Sequence, residues 1–180
     1  MKQFLILILT CLLVSCNSEA ESRKNSALHN PDRSDSEIKE RIDSRLDEWH
    51  QAAAEANFET YFDLMSKDGI FLGTDATENW QNEEFKEFSK PYFDQGKAWN
   101  FTAIERNIYI GESKQYAWFD EILDTQMGLC RGSGVMERKG NQWKVKHYVL
   151  SILIPNDNVE EVTQIKKEFD SGFLDGFKDN

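Results

Sequence analysis

The feature that most constrains this chain is a change of hydrophobic period at Lys97. After it, apolar and polar residues alternate, and four segments of period two follow one another at 99–110, 115–124, 128–138 and 142–154. Ser113-Lys114, Thr125 to Met127 and Gly140-Asn141 join them, and connections this short force consecutive strands to pair antiparallel. Before Lys97 the spacing is three and four. Ser34 and Glu37 form a capping box, and Ile38, Ile42, Leu46, Trp49, Ala53 and Ala56 then mark the buried stripe of a long helix. A shorter helix carries Phe58, Tyr61, Phe62 and Met65. A short strand, Ile70-Phe71-Leu72, and a turn, Gly73-Thr74-Asp75-Ala76, come next. A third helix, capped by Asn82, places Phe85, Phe88, Tyr92 and Phe93 on one side, with Pro91 to kink or restart it and Gly96 to end it. Three helices followed by an antiparallel meander predict an α+β domain with the helices gathered on one sheet face. Val159, Val162, Ile165 and Phe169 add a short C-terminal helix that frays after Gly172.

The first sixteen residues suggest where the domain works. Lys2 is a positive start, Phe4 to Val14 is apolar apart from Thr10 and Cys11, and Leu13-Val14-Ser15-Cys16 ends the run on a small residue and a cysteine. This resembles the lipobox of a bacterial lipoprotein, which implies removal of 1–15 and acylation of Cys16. The run is too short for a bilayer core of about 30 Å, so a transmembrane helix is the weaker reading. Residues 16–34 are polar and read as a disordered tether, 35–156 as the folded domain, and 157–180 as the C-terminal helix and tail. Asn17 does not match the aspartate associated with inner-membrane retention, which favours the outer membrane of the cell envelope.

Charge and cysteine count exclude several classes of function. With Lys2 gone, 20 basic residues face 32 acidic ones, which argues against a nucleic-acid partner. Cys130 is left without a disulfide partner, and His29, His50 and His147 have no metal-ligand spacing. Neither metal nor cofactor is expected.

The element order, with FLGTDATENW, PYFDQGKAW, AWFDEILD, GLCRGSGV and NQWKVKHYVLSILIPN, resembles a SnoaL-like member of the nuclear transport factor 2 (NTF2-like) superfamily over about residues 38–155. The resemblance implies a cone: a strongly curved antiparallel sheet wrapped around three N-terminal helices, with a pocket between them. Trp143, Val145, His147 and Ser151 match the family's last strand, although Val149 stands where many members carry a second histidine. The fold hosts enzymes, ligand carriers and assembly modules, so function must come from the site.

Laying the strands side by side from their turns puts Ile104, Ile108, Phe119, Leu123, Leu129, Leu150 and Ile152 on the face covered by helices. Arg106, Glu121 and Arg131 fall in a row in its middle, with Ser133 and Tyr148 beside it. Two guanidinium groups around one carboxylate would attract an anion, and unpaired charges there would be costly. Tyr109, Trp118, Asp120, Trp143, Val145 and His147, against Gly132 and Gly134, fall on the opposite face, which reads as a homodimer surface. A slip of one residue in any turn exchanges the faces and would make Asp120 and His147 an acid and base pair in the pocket.

Three functions remain open. The leading one is a lipid-anchored domain that holds a small, partly apolar, anionic ligand between Arg106, Glu121, Arg131 and Ser133, packed by Phe119, Tyr148 and Trp80. The second is a SnoaL-like or ketosteroid-isomerase-like enzyme, with Glu121 as base and Tyr148 as donor; neighbouring arginines argue against it by lowering the Glu121 pKa. The third is a ligand-free dimerisation module.

Overall fold

The structure is a computed structural model and describes residues 34–96 and 98–178. The leader, Cys16 and nearly all of the tether lie outside these residues. The chain divides into two units, 1–38 and 39–180. Of the first, the described residues show the expected capping box: the Ser34 N–H donates to Glu37 Oε2 at 3.0 Å and the Glu37 N–H to Ser34 Oγ at 3.3 Å.

Helix α1 spans Asp35–Ala54, α2 spans Phe58–Leu64 and α3 spans Asn82–Asp94. The strands are β1, Met65–Leu72; β2, Asn79–Gln81; β3, Phe101–Ile110; β4, Tyr116–Thr125; β5, Gly128–Lys139; and β6, Gln142–Ile152. A 3₁₀ turn, Asn156–Asn158, leads into α4, Val159–Asp175. Among the described residues no helix is long and apolar enough to cross a membrane.

The strands form one curved, unclosed mixed sheet in the order β2-β1-β6-β5-β4-β3. The β3 to β6 meander is antiparallel as expected. The sheet is larger than the meander, because β1 lies parallel to β6 and carries β2 at its far edge. Spacing alone did not reveal β1 beyond Ile70-Phe71-Leu72. Its first half, Met65-Ser66-Lys67-Asp68-Gly69, lacks alternation and carries a register shift between Met65 and Ile70.

α3 begins one residue earlier than its sequence signal suggests. Gln81 is the cap, its N–H bonded to Glu84 Oε2 at 3.1 Å, while Asn82 turns inward and donates to the Ser66 carbonyl at 2.5 Å. Pro91 lies inside the helix, which continues to Asp94 instead of restarting there.

The core is largely aromatic. Trp49 stacks on Tyr61 at 5.0 Å and meets Tyr148 edge-on at 4.8 Å; Phe71 stacks on Phe85 at 4.2 Å. Leu46, Tyr61, Leu123, Cys130 and Tyr148 are completely buried. This packing fixes α1 and α2 against the inner face of the sheet.

Candidate functional site

β4 presents Ala117, Phe119, Glu121 and Leu123 inward and Tyr116, Trp118, Asp120 and Ile122 outward. Glu121 is therefore a carboxylate inside an apolar core, and three elements supply its partners. Tyr148, on β6, donates its hydroxyl to Oε1 at 2.8 Å. His50, on α1, brings Nε2 to the same oxygen at 2.8 Å. Arg106, directly opposite on β3, donates Nε to Oε2 at 2.8 Å.

Arg106 is itself shared. Its Nη1 bonds Asp43 Oδ1 at 2.6 Å and Asp47 Oδ1 at 2.9 Å, one turn apart on α1. One guanidinium thus faces three carboxylates. Burial disfavours its charge, but Glu121 and the two aspartates outweigh burial and raise its pKa above the ordinary value. Burial likewise pushes the Glu121 carboxyl up, yet His50 and Arg106 outweigh it and hold the group down to about 2. Burial and the Glu121 charge push the Tyr148 hydroxyl well above its usual value. The ensemble is an ionised carboxylate with both oxygens engaged. Such a group is a poor base.

The anion site expected from sequence does not form. Thr125 pairs with Gly128, leaving a two-residue connection, so Gly132 and not Arg131 stands opposite Glu121. Arg131 is exposed on the outer face between Ile122 and Ser151, and Ser133 lies on the same face between Asp120 and Val149. Gly132 and Gly134 correspondingly line the inner face. A Cβ on Gly132 would collide with the Tyr148 hydroxyl, and one on Gly134 would come within 2.9 Å of the Phe119 ring.

Two bulges cause the remaining differences. The β3–β4 register shifts between Ala103 and Glu105, turning Ile104 out to 61% exposure. The β5–β6 register shifts between Val135 and Met136, so Lys146 and His147 both leave the inner face while Trp143 and Val145 join the core. Leu129 is exposed, and so is Ile152. Phe119 and Tyr148 are buried together at a 6.0 Å ring separation, whereas Trp80 is half-buried on β2, stacked on Phe88 at 4.4 Å. Trp80 has no ring or hydrogen-bond contact with the Glu121 cluster.

Sequence reasoning missed His50, Asp43 and Asp47. His50 lies four residues after Leu46 and three before Ala53, so its place on the buried stripe of α1 was readable. Asp43 and Asp47 share the adjoining face at four-residue spacing. Beside them an open groove of about 340 Å³ runs between α1 and β3, lined by Lys39, Glu40, Asp43, Arg106, Asn107, Ile108 and Tyr109.

On the outer face the register aligns Tyr109, Trp118, Val135 and His147 across four strands. Tyr109 and Trp118 stack at 5.9 Å and are 45% and 52% exposed. Asp120, held by Asn107 at 3.3 Å, shares the face but has β5 between it and His147. Two strand spacings separate them by about 10 Å, too far for an acid and base pair in contact.

The SnoaL-like domain model matches residues 42–155, about two thirds of the chain. The chain belongs to the SnoaL-like domain family. Solved NTF2-like structures share its fold. One, of unknown function, from Pseudomonas putida aligns at 13% identity and TM-score 0.56, covering 69% of this chain and 92% of its own. One from Cytophaga hutchinsonii aligns at 15% and 0.54, covering 67% and 100%. One of unknown function from Shewanella oneidensis aligns at 14% and 0.51, covering 63% and 98%. No curated protein matches the SnoaL-like chain.

Proposed function

We propose that this SnoaL-like domain is an assembly module, held at the cell envelope through Cys16, which pairs with a second copy through its outer sheet face. The observation that carries the reading is the row Tyr109, Trp118, Val135 and His147, where an exposed, stacked indole and phenol continue into the half-buried Val135 and His147 on the outer sheet face. Aromatic groups at the centre of a patch, with polar groups such as Asp120, Asn107 and Ser133 around it, match the anatomy of protein interfaces. The interior favours this reading over anion binding, since Arg106 faces three carboxylates, with only Nη2 left without a hydrogen-bond partner, and Arg131 faces outward. The anchor rests on the Leu13-Val14-Ser15-Cys16 pattern. Sedimentation velocity of the full chain in mild detergent tests the assembly: a dimer is expected, and Trp118→Glu is expected to convert it to a folded monomer. A wild type that stays monomeric at high concentration removes the reading.

One observation favours a second reading, a small ligand held among the core aromatics. Trp49 Nε1 and Tyr61 Oη are buried with no hydrogen-bond partner at bonding distance, although the Trp99 ring stands edge-on to Tyr61 at 5.4 Å. Buried unpaired donors are costly, and a carbonyl or carboxylate carried in by an aromatic molecule would satisfy them. Thermal unfolding with small aromatic acids and ketones tests this, because a ligand that binds only the folded state raises the midpoint. No shift with wild type across the panel sinks the ligand reading.

A further inference from the structure

α4 is an amphipathic helix, and none of its residues is buried by the described residues. Val159, Val162, Phe169 and Phe173 recur at three, seven and four residues, one stripe of a helix interrupted by Lys166, four after Val162 and three before Phe169; Phe177 follows just past the helix end. The Phe169, Phe173 and Phe177 rings run in contact along it, at 6.1 and 5.2 Å. No residue of α4 is buried; Ile165, at one border of the stripe, is 75% exposed and Phe177 is 65% exposed. Helices gain most of their stability from packing such a face, so this stripe calls for a cover.

The outer sheet face has the opposite shortage. A stable interface removes roughly 800 Å² from each partner, and fully buried aromatic side chains remove about 150–250 Å² each. Trp118 and Tyr109, already half covered, fall well short, and Val135 and His147 add little more. An additional apolar element is needed, and among the described residues α4 is uncovered.

Charge bears on the orientation. Arg131 is exposed on the outer face, and among the described residues no hydrogen bond or ion pair engages its guanidinium. α4 carries Glu160, Glu161, Glu168, Asp170 and Asp175 against Lys166 and Lys167. Glu161 and Glu168 lie beyond Ile165, along the border of the stripe. A helix with this acidic excess is repelled by an anionic bilayer, and on an outer face that also carries Glu105, Asp120 and Asp124 its place of attraction is the Arg131 guanidinium.

We propose that α4 of each copy packs its Val162, Phe169 and Phe173 stripe on the outer sheet of the other copy, over Trp118 and Val135, with its acidic border toward Arg131. This rests on the dimer reading and names the part of the second copy that occupies the face. The exchange is reciprocal, as two-fold symmetry requires.

The test uses the full chain in mild detergent and three proteins: wild type, Trp118→Glu, and Phe169→Asp with Phe173→Asp. The helix variant is expected to raise the dimer Kd at least about tenfold while keeping the far-UV spectrum of the sheet. Mixing it with Trp118→Glu is expected to give a heterodimer tighter than either variant forms alone, since the intact helix of one meets the intact sheet of the other. A helix variant as tightly dimeric as wild type, beside a monomeric Trp118→Glu, overturns the α4 proposal and leaves the sheet reading standing. No heterodimer in the mixture, as α4-to-α4 pairing would give, overturns it equally. A wild-type monomer, including one with α4 folded back on its own sheet, or a Trp118→Glu chain that still dimerises, overturns the sheet reading and α4 docking with it.

Discussion

The Tyr148 hydroxyl occupies the space in which a Cβ on Gly132 would stand, which is why the strand opposite Glu121 carries no side chain there. The glycine is thus part of the carboxylate's environment. Gly132→Ala should push Tyr148 away from Glu121 and destabilise the fold by about 2–4 kcal/mol, through a lost charge-assisted hydrogen bond and overpacking. Urea unfolding measures it. Combining it with Tyr148→Phe, which vacates part of that space, should cost less than the sum of the single changes; strict additivity would mean that the two sites do not interact.

Glu121 sets an acid limit on stability. Its folded pKa, about 2, lies below its ordinary 4.5, so the folded state favours the ionised form. The resulting stabilisation is complete above pH 4.5 and fades as pH falls toward 2, by about 3 kcal/mol over that window. Glu121→Gln should lower stability at pH 7 and flatten the loss between pH 4.5 and 2. Urea midpoints at pH 6, 4 and 3 make the comparison, and parallel pH profiles for the two proteins would rule out this origin.

The two arginines should behave differently. Arg106→Met removes the partner of a fully buried carboxylate and should cost about 3–5 kcal/mol. Arg131→Met alters an exposed position and should change monomer stability by no more than about 0.5 kcal/mol. Thermal and urea unfolding of both variants at low protein concentration provides the readout. Equal losses would restore Arg131 to the interior.

That contrast also marks how far the sequence could be read. Strand positions came within two or three residues, since a period of two dominates from Thr102 to Ser151, and the Arg106–Glu121 pairing followed from the β3–β4 turn. β5 slipped by one because Thr125 was assigned to the turn, whereas its hydroxyl accepts from the Met127 N–H and it still pairs with Gly128. With a side-chain period of two, that single residue exchanged Arg131 for Gly132. The bulges at Ile104 and Lys146 left no periodic trace, though two consecutive polar residues, Lys146 and His147, were a cue to the second. His50 was passed over because only metal binding was considered for it. A lone histidine on an apolar helical stripe needs a buried partner, and the one carboxylate predicted on the inner face was Glu121.

The proposed anchor is tested in the host. Cys16→Ser should move the protein out of the membrane fraction or leave its leader uncleaved, because the sole cysteine at the end of the apolar run is gone. Stable anchoring needs two membrane signals, and a multiply acylated cysteine supplies them where a single chain binds only marginally. The measurement is fractionation followed by immunoblotting against the folded domain, with Cys130→Ser as the control. Cys130 is buried in the sheet, so its variant should fractionate with the wild type. A Cys16→Ser protein that keeps both its membrane partition and its processed mass would show that retention comes from elsewhere in the chain. The apolar stripe of α4 would then be the next segment to remove.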